Sequence, residues 1–419
     1  MSNHNGNGHY LQLPPIGERR IALRVSSAAE RAIRRGHPWL FAQAIERQSH
    51  QGAPGDFAVI FDRKGRFLAV GLYDPTAPLR VRILHMGTPL TIDAAWFRAR
   101  LLGAFAHRQS LMDDPQTNGY RLVHGENDGL PGLVIDRYAD TCVLKLDTPA
   151  WIPHLNEVLA VLLETAVPQR IMLRLSRSVQ ELGDALYGLK DGVVLYGEPL
   201  RDPVIFLENG LQFEVDVRLG QKTGFFLDQR DNRARVEKLA ADKRVLNVFA
   251  YTGGFSLYAA RGAAREVVSL DISQPALAAA GRNFKLNQHI PAVAAASHEL
   301  LLGDAFRAME QLRDSHRKFD MVVIDPPSFA SKRADVPGAL GAYQRLVRLG
   351  LSVLRGGGTL VMASCSSRVT ADAFFAAVHE AAVMGGRPLQ EIERTFHAID
   401  HPIGFKEGAY LKCLFAIAN

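Results

Sequence analysis

Residues 244–255, RVLNVFAYTGGF, run from an apolar strand-like stretch into a glycine-bearing turn, after which a helical pattern begins. Two adjacent glycines, Gly253 and Gly254, let a backbone turn sharply and come close to a ligand, as nucleotide-binding loops do at the end of a first strand. The spacing is not GxGxxG, so a nicotinamide dinucleotide fits poorly. Toward the C-terminus, EVVSLDI, HELLLGD, DMVVIDP and GTLVMAS are four more apolar runs separated by helical segments. One of these segments, SQPALAAAGRNFKLNQ, carries Pro275 near its first turn. Apolar strands alternating with helices predict a parallel sheet covered on both faces, with ligands beyond its carboxyl ends. Two last strands are expected around LQEIERTF and YLKCLFAIA.

On the N-terminal side the style differs. RIALRV, a short helix through AAERAIRRG, and a hairpin FAVIFDRKGRFLAVGLY turning at Asp62–Gly65 predict a small β domain. A helical linker, IDAAWFRARLLGAFAHRQSLM, leads to GLVIDRY and TCVLKL as paired strands. The helix PHLNEVLAVLLETA and the strands RIMLRLS and GVVLYGE complete a strand–strand–helix–strand–strand (EEHEE) unit. A second hairpin is expected at Asn209-Gly210, between VIFLE and LQFEVDV. The predicted organisation is a small β-barrel domain over residues 18–88, an α+β domain over 92–200 and a Rossmann-like α/β domain over 205–419.

Composition narrows the function. The chain of 419 residues carries 49 Lys and Arg against 43 Asp and Glu. Residues 1–90 hold 12 of the former and 6 of the latter, a surplus as large as that of the whole chain. A basic N-terminal module on a neutral body suggests a polyanion partner, nucleic acid first; a merely solvated basic face is the other reading. The start, MSNHNGNGHYLQLPP, lacks the basic and apolar regions of a signal peptide, and no charge-free apolar stretch would span a bilayer, so a cytoplasmic location is expected. Cys142, Cys365 and Cys413 are odd in number and widely spaced, with no CxxC. Neither disulfides nor a metal are expected.

The strand ends of the third predicted domain carry the chemistry. Asp271 ends the second strand, about 20 residues after the glycine turn, where a carboxylate can accept from ribose hydroxyls. Gly303-Asp304-Ala305-Phe306 ends the third, where an adenine could lie. For each aspartate alone, helix capping is the competing role. The fourth strand ends Asp325-Pro326-Pro327-Ser328-Phe329, a rigid turn that can hold Asp325 and Phe329 toward a planar base. The fifth delivers Ser364-Cys365-Ser366.

YTGGF, LDIS, GDAF, DPPSF and SCS, in this order, resemble the motifs of class I S-adenosylmethionine-dependent methyltransferases. More narrowly the chain resembles the RlmI-like family of large-subunit rRNA 5-methylcytosine methyltransferases. GHPWLF in the basic β domain resembles that family's PUA module, RLVHGENDGLPGLVIDRY the opening of its central domain, and KTGFFLDQRDNR its cofactor-covering segment. The resemblance implies S-adenosyl-L-methionine as cofactor, cradled by Phe249, Tyr251, Thr252, Gly253, Gly254 and Phe255. It places Asp271 on the ribose, Asp304 and Ala305 at the adenine, and Lys222, Thr223, Asp228 and Arg230 in the covering segment. It gives Asp325 both the target base and a place in the cofactor site, and Cys365 the role of nucleophile. Ribosomal RNA is the implied partner, with Arg35, His37, Trp39, Phe329, Lys332 and Arg333 as candidate contacts, and self-association into a homodimer stays open.

A cysteine is what this chemistry needs, because carbon 5 of cytosine becomes nucleophilic only after a thiolate adds at carbon 6. The base must also be turned out of its stack. Other RNA 5-methylcytosine families carry a second cysteine after the fourth strand; here Pro-Pro-Ser stands there, so the base that removes the carbon 5 proton is unassigned. Two other readings compete. One is methylation of a guanine nitrogen, which needs no nucleophile; the other is an rRNA-binding assembly factor with a vestigial pocket. Cys142 and Cys413 are expected in cores, as most free cysteines are.

Overall fold

The computed structural model describes residues 11–419; the polar residues 1–10, part of the stretch judged unlike a signal peptide, lie outside the described residues. The chain divides into two compact units. The first holds the chain up to Asn209, with Val215–Phe225 and Ile399–Phe405; the second holds Gly210–Glu214, Phe226–Ala398 and Lys406–Asn419.

The first unit contains two sheets. Strands β1 (Ile21–Val25), β2 (Trp39–Phe41), β3 (Ile45–Gln48), β4 (Phe57–Phe61), β5 (Phe67–Tyr73) and β6 (Leu79–Met86) form a six-stranded sheet in the order β2-β6-β5-β4-β1-β3. β1 reads IALRV with every second side chain buried, the alternation of a strand with one face on a core. The expected hairpin is β4–β5, with the Gly65 amide donating to the Asp62 carbonyl across its turn.

Strands β7 (Gly119–His124), β8 (Leu133–Tyr138), β9 (Thr141–Leu146), β10 (Arg170–Leu175) and β11 (Val194–Tyr196) form the second sheet, ordered β11-β10-β9-β8-β7. The helix Leu155–Thr165 makes the crossover between parallel β9 and β10. The expected EEHEE strands are all present, and β7 adds a fifth strand. Its sequence, GYRLVH, is wholly buried although it contains Arg121 and His124, so its polarity conceals a core strand. Val70, Leu72 and Leu84 from the first sheet share one apolar cluster with Phe97, Leu144 and Trp151. That shared cluster joins the two expected N-terminal domains in one unit.

Fully buried Arg108 is one of the ties between the segment Ile399–Phe405 and the rest of this unit. Its guanidinium donates to both oxygens of Asp128 at 2.8 Å and to the carbonyls of Ala104, Arg121 and Asp400 at 2.9, 3.1 and 2.9 Å. Five donors thus meet five acceptors, which is what makes burial of this charge tolerable.

β12 (Val204–Glu208) and β13 (Leu211–Val215) flank Asn209 and Gly210, with φ of +49° and +81°, the left-handed pair of a tight hairpin turn. The second unit is built on seven strands: β14 (Arg244–Val248), β15 (Glu266–Asp271), β16 (Ser297–Leu302), β17 (Phe319–Ile324), β18 (Leu354–Ser364), β19 (Leu389–Thr395) and β20 (Lys412–Ala418), ordered β16-β15-β14-β17-β18-β20-β19. The five expected parallel strands pair as predicted, and β20 runs antiparallel between β18 and β19. The strand order reverses beside β14, the position where open α/β sheets bind ligands. Among the described residues no helix is long and apolar enough to cross a membrane.

Candidate active site

The loop leaving β14 is held in an unusual conformation. Phe249, Tyr251 and Gly253 have φ of +62°, +48° and +78°. Each non-glycine residue in this region costs roughly 1–3 kcal/mol and persists only where its surroundings impose it. The restraints are visible: the Tyr251 amide donates to Asp271 Oδ2 at 2.8 Å, and Asn283 Nδ2 donates to the Thr252 carbonyl at 2.9 Å. Gly253 precedes the helix Gly254–Arg261, and a Cβ there would lie 2.8 Å from that of Ala280. Phe226 meets Tyr251 edge-on at 5.2 Å. The Thr252 hydroxyl is buried and has no hydrogen-bond partner among the described residues.

The two aspartates part company. Asp304 is exposed and caps the helix Ala305–Asp314, accepting from the Arg307 amide at 3.1 Å, while Ala305 is buried. Asp271 does not cap: Ser273 caps the helix Gln274–Leu286, and Asp271 Oδ1 accepts from the Ser273 amide at 2.8 Å. With one backbone donor on each oxygen, the half-buried Asp271 carboxylate keeps lone pairs for further donors.

Asp325 and Cys365 stand at the carboxyl ends of neighbouring β17 and β18, both half-buried. The Cys365 thiol donates to the Pro326 carbonyl at 3.8 Å. The two turns are tied again through the Ala330 carbonyl, which accepts from Ser328 Oγ at 3.2 Å and Ser366 Oγ at 3.4 Å. Beneath them the Tyr343 and Ser364 hydroxyls meet at 2.8 Å. Burial, above all, pushes the Tyr343 phenol up to about 12. Phe329 leans on Tyr343 with ring centres 5.3 Å apart, at the rim of the core, and Lys332 and Arg333 are exposed on the turn that follows.

Lys412, at the start of β20, was not singled out by sequence reasoning. It is 1% exposed, and its ammonium donates to the carbonyls of Ser366, Val369 and Tyr410 at 2.5, 2.7 and 3.2 Å. A lone cation inside the apolar run YLKCLFAIA was the available signal. Cys142 and Cys413 are fully buried; burial pushes the first thiol up to about 12 and the second well above its ordinary range. Neither can serve as a thiolate.

The covering segment divides between the units. Lys222 is exposed, whereas the Thr223 hydroxyl is buried and committed to Asp136 Oδ2 at 2.5 Å and to the Tyr138 hydroxyl at 3.0 Å. In the second unit Asp228 is buried and accepts from the Tyr410 hydroxyl at 2.8 Å, and buried Arg230 opens the helix Arg230–Leu239. In the first unit Arg35 is exposed and His37 half-buried. Trp39 donates its indole N–H to Glu126 Oε1 at 2.9 Å and meets His37 and Phe405 edge-on at 5.6 and 5.2 Å. Glu126 went unnoticed in sequence because its partner lies 87 residues away.

The unpartnered Thr252 hydroxyl, the space kept by Gly253 and the spare lone pairs of Asp271 suit a ligand with an amino-acid end and a ribose. Comparison with known proteins agrees. A family model described as S-adenosylmethionine-dependent methyltransferase matches residues 190–407, and one described as PUA-like domain matches residues 23–86. A ribosomal RNA large subunit methyltransferase of Deinococcus radiodurans is 48% identical over 409 residues, covering 97% of this chain and 99% of the relative. The ribosomal RNA large subunit methyltransferase I of Aeromonas salmonicida is 38% identical over 397 residues, covering 93% and 97%. A solved structure described as a SAM-dependent methyltransferase, from Streptococcus mutans, shares the fold with a TM-score of 0.80 at 24% identity, over 94% of this chain and 99% of that one. The chain belongs to the family of S-adenosylmethionine-dependent ribosomal RNA large subunit methyltransferases, and S-adenosylmethionine is its cofactor.

Proposed function

We propose that this protein methylates carbon 5 of a cytosine in large-subunit ribosomal RNA through a covalent adduct with Cys365. Residues 18–88 serve as an RNA-binding module, 92–200 as a central domain and 205–419 as the catalytic domain. The observation that carries the reading is the contrast among the cysteines. Cys365 alone is partly open, at a strand end on the carboxyl edge of the sheet and bonded to the Asp325-Pro326-Pro327 turn, while Cys142 and Cys413 are sealed in cores. A guanine-nitrogen methyltransferase would have no use for such a thiol.

The Cys365 thiolate adds to carbon 6 of the unstacked base. Asp325 hydrogen-bonds the N3/N4 edge and favours protonation at N3, so that the electron pair reaches carbon 5 as an enamine. S-adenosylmethionine, when bound, supplies an electrophilic methyl group. Carbon 5 would take the methyl as the methyl–sulfur bond breaks and its electron pair stays on the cofactor's sulfur; carbon 5 then loses its proton to a base, and the re-formed double bond expels the thiolate while N3 gives up its proton. Phe249–Phe255 and Asp271 bind the cofactor in this scheme; Asp304, with Ala305, lies at the adenine in addition to capping its helix. Asp228 and Arg230 line the cofactor from the covering segment, with Lys222 and Thr223 preceding them. Exposed Arg35, Lys332 and Arg333 contact phosphates, and His37, Trp39 and Phe329 offer rings to bases.

The test is transfer from labelled S-adenosylmethionine to unmodified large-subunit rRNA, with product nucleosides identified for wild type and Cys365→Ala. The expected result is 5-methylcytosine from wild type and none from the variant, which still binds cofactor. A methylated guanine, or an active Cys365→Ala enzyme, overturns the reading.

A further inference from the structure

We infer that Lys412 is a positioning residue for the Cys365 thiol: its buried ammonium fixes the turn that carries the cysteine and supplies the positive charge that favours the thiolate. This rests on the reading of Cys365 as nucleophile.

Three observations converge. Lys412 is the cross-strand partner of Ser364, the last residue of β18 before the cysteine. Its Nζ then reaches past that pair to the carbonyls of Ser366 and Val369, which follow Cys365, and to Tyr410 on its own strand. An ammonium group has three donors and no acceptor, so three carbonyls are the partner set of a charged lysine, and no proton faces open space. That arrangement suits a fixed charge and leaves no proton for general acid chemistry.

The carbonyls solvate the charge without neutralising it. Burying a cation without a counter-charge is expensive, and a turn that needed only shape could be packed with apolar side chains. Burial holds the Lys412 ammonium down to about 8, and the charge that works the other way is that of Cys365. Their attraction is mutual: what favours the ammonium favours the thiolate equally. Asp325, which follows β17, brings no positive charge, and Tyr343 on the helix Val336–Val353, pushed up to about 12, is neutral. A thiolate at this turn gains from a cation, and Lys412 supplies one.

The experiment is the pH profile of Cys365 alkylation by iodoacetamide, read by peptide mass mapping, in wild type, Lys412→Met and Lys412→Arg. Calorimetric binding of S-adenosylmethionine reports on folding. Lys412→Met is expected to alkylate roughly tenfold more slowly at neutral pH with its midpoint displaced upward, and Lys412→Arg to recover most of the rate. Equal profiles in wild type and Lys412→Met, or an arginine variant no faster than the methionine one, overturn the inference. Should Lys412→Met not fold, the reciprocal measurement needs no lysine variant: the Lys412 titration by carbon-13 NMR, with Cys365→Ser beside wild type. A midpoint that falls in the serine variant supports the coupling, and an unchanged one refutes it. None of these readouts requires methyl transfer. An active Cys365→Ala enzyme therefore removes the nucleophile, whereas unmoved alkylation profiles with an inactive Cys365→Ala remove only the role of Lys412.

Discussion

Tyr343 and Ser364 meet hydroxyl to hydroxyl at 2.8 Å inside the core, one residue before the candidate nucleophile. Both side chains are fully buried, so the end of β18 is tied to the helix Val336–Val353 from below. Tyr343→Phe leaves the Ser364 hydroxyl short of a buried partner, at a cost of about 1–3 kcal/mol. The expected outcome is that loss in urea denaturation, together with cofactor affinity close to wild type, because the glycine turn lies on another strand. Denaturation midpoints that coincide would show the bond to be dispensable.

Gly253→Ala meets two obstacles, a φ of +78° and Ala280 2.8 Å from the new Cβ. The turn must shift, and cofactor binding is expected to weaken by more than tenfold, with roughly 1–3 kcal/mol of lost stability. Calorimetric titration with S-adenosylmethionine checks it, and an affinity within twofold of wild type contradicts the role given to this turn.

His298 stacks on Phe284 with ring centres 3.5 Å apart and bonds Ser269 Oγ at 2.9 Å. Burial lowers its imidazolium from the ordinary 6.5 to about 4. The unfolded chain takes up a proton below about 6.5, while the folded one refuses it until about 4. Stability therefore falls as pH drops through this window, by up to about 3 kcal/mol from this residue. The stability of wild type relative to His298→Leu should fall between pH 7.5 and pH 4.5; a difference that does not change with pH would deny the linkage.

Arg108→Met removes five donors from one buried cluster and leaves the Asp128 carboxylate without its bidentate partner. A loss of about 3–5 kcal/mol is expected. Hydrogen exchange should show Ile399–Phe405 losing protection first, since the Asp400 carbonyl loses a donor. Uniform protection loss across the chain would argue against a local anchor.

The catalytic sheet was legible because its evidence is local. Each strand is a short apolar run, each ends at a turn residue with its own chemistry, and the order of runs fixes a parallel sheet. The competing role of Asp304 as a helix cap was equally readable from its place before a helix. β7 escaped because its core positions include Arg121, which Asp136 neutralises at 2.7 and 2.9 Å. No local pattern announces a charge whose partner makes it buriable.

By itself, then, the sequence determined the strand-end chemistry: a glycine turn, an acidic second strand, a rigid proline turn and a cysteine at the fifth strand's end. Tertiary structure alone decided which charges stand in the interior. Lys412 lies 46 residues from Ser366, and Arg108 lies 292 from Asp400. Periodicity records which face of an element is buried, but a buried ion depends on distant acceptors that only the folded chain brings to it.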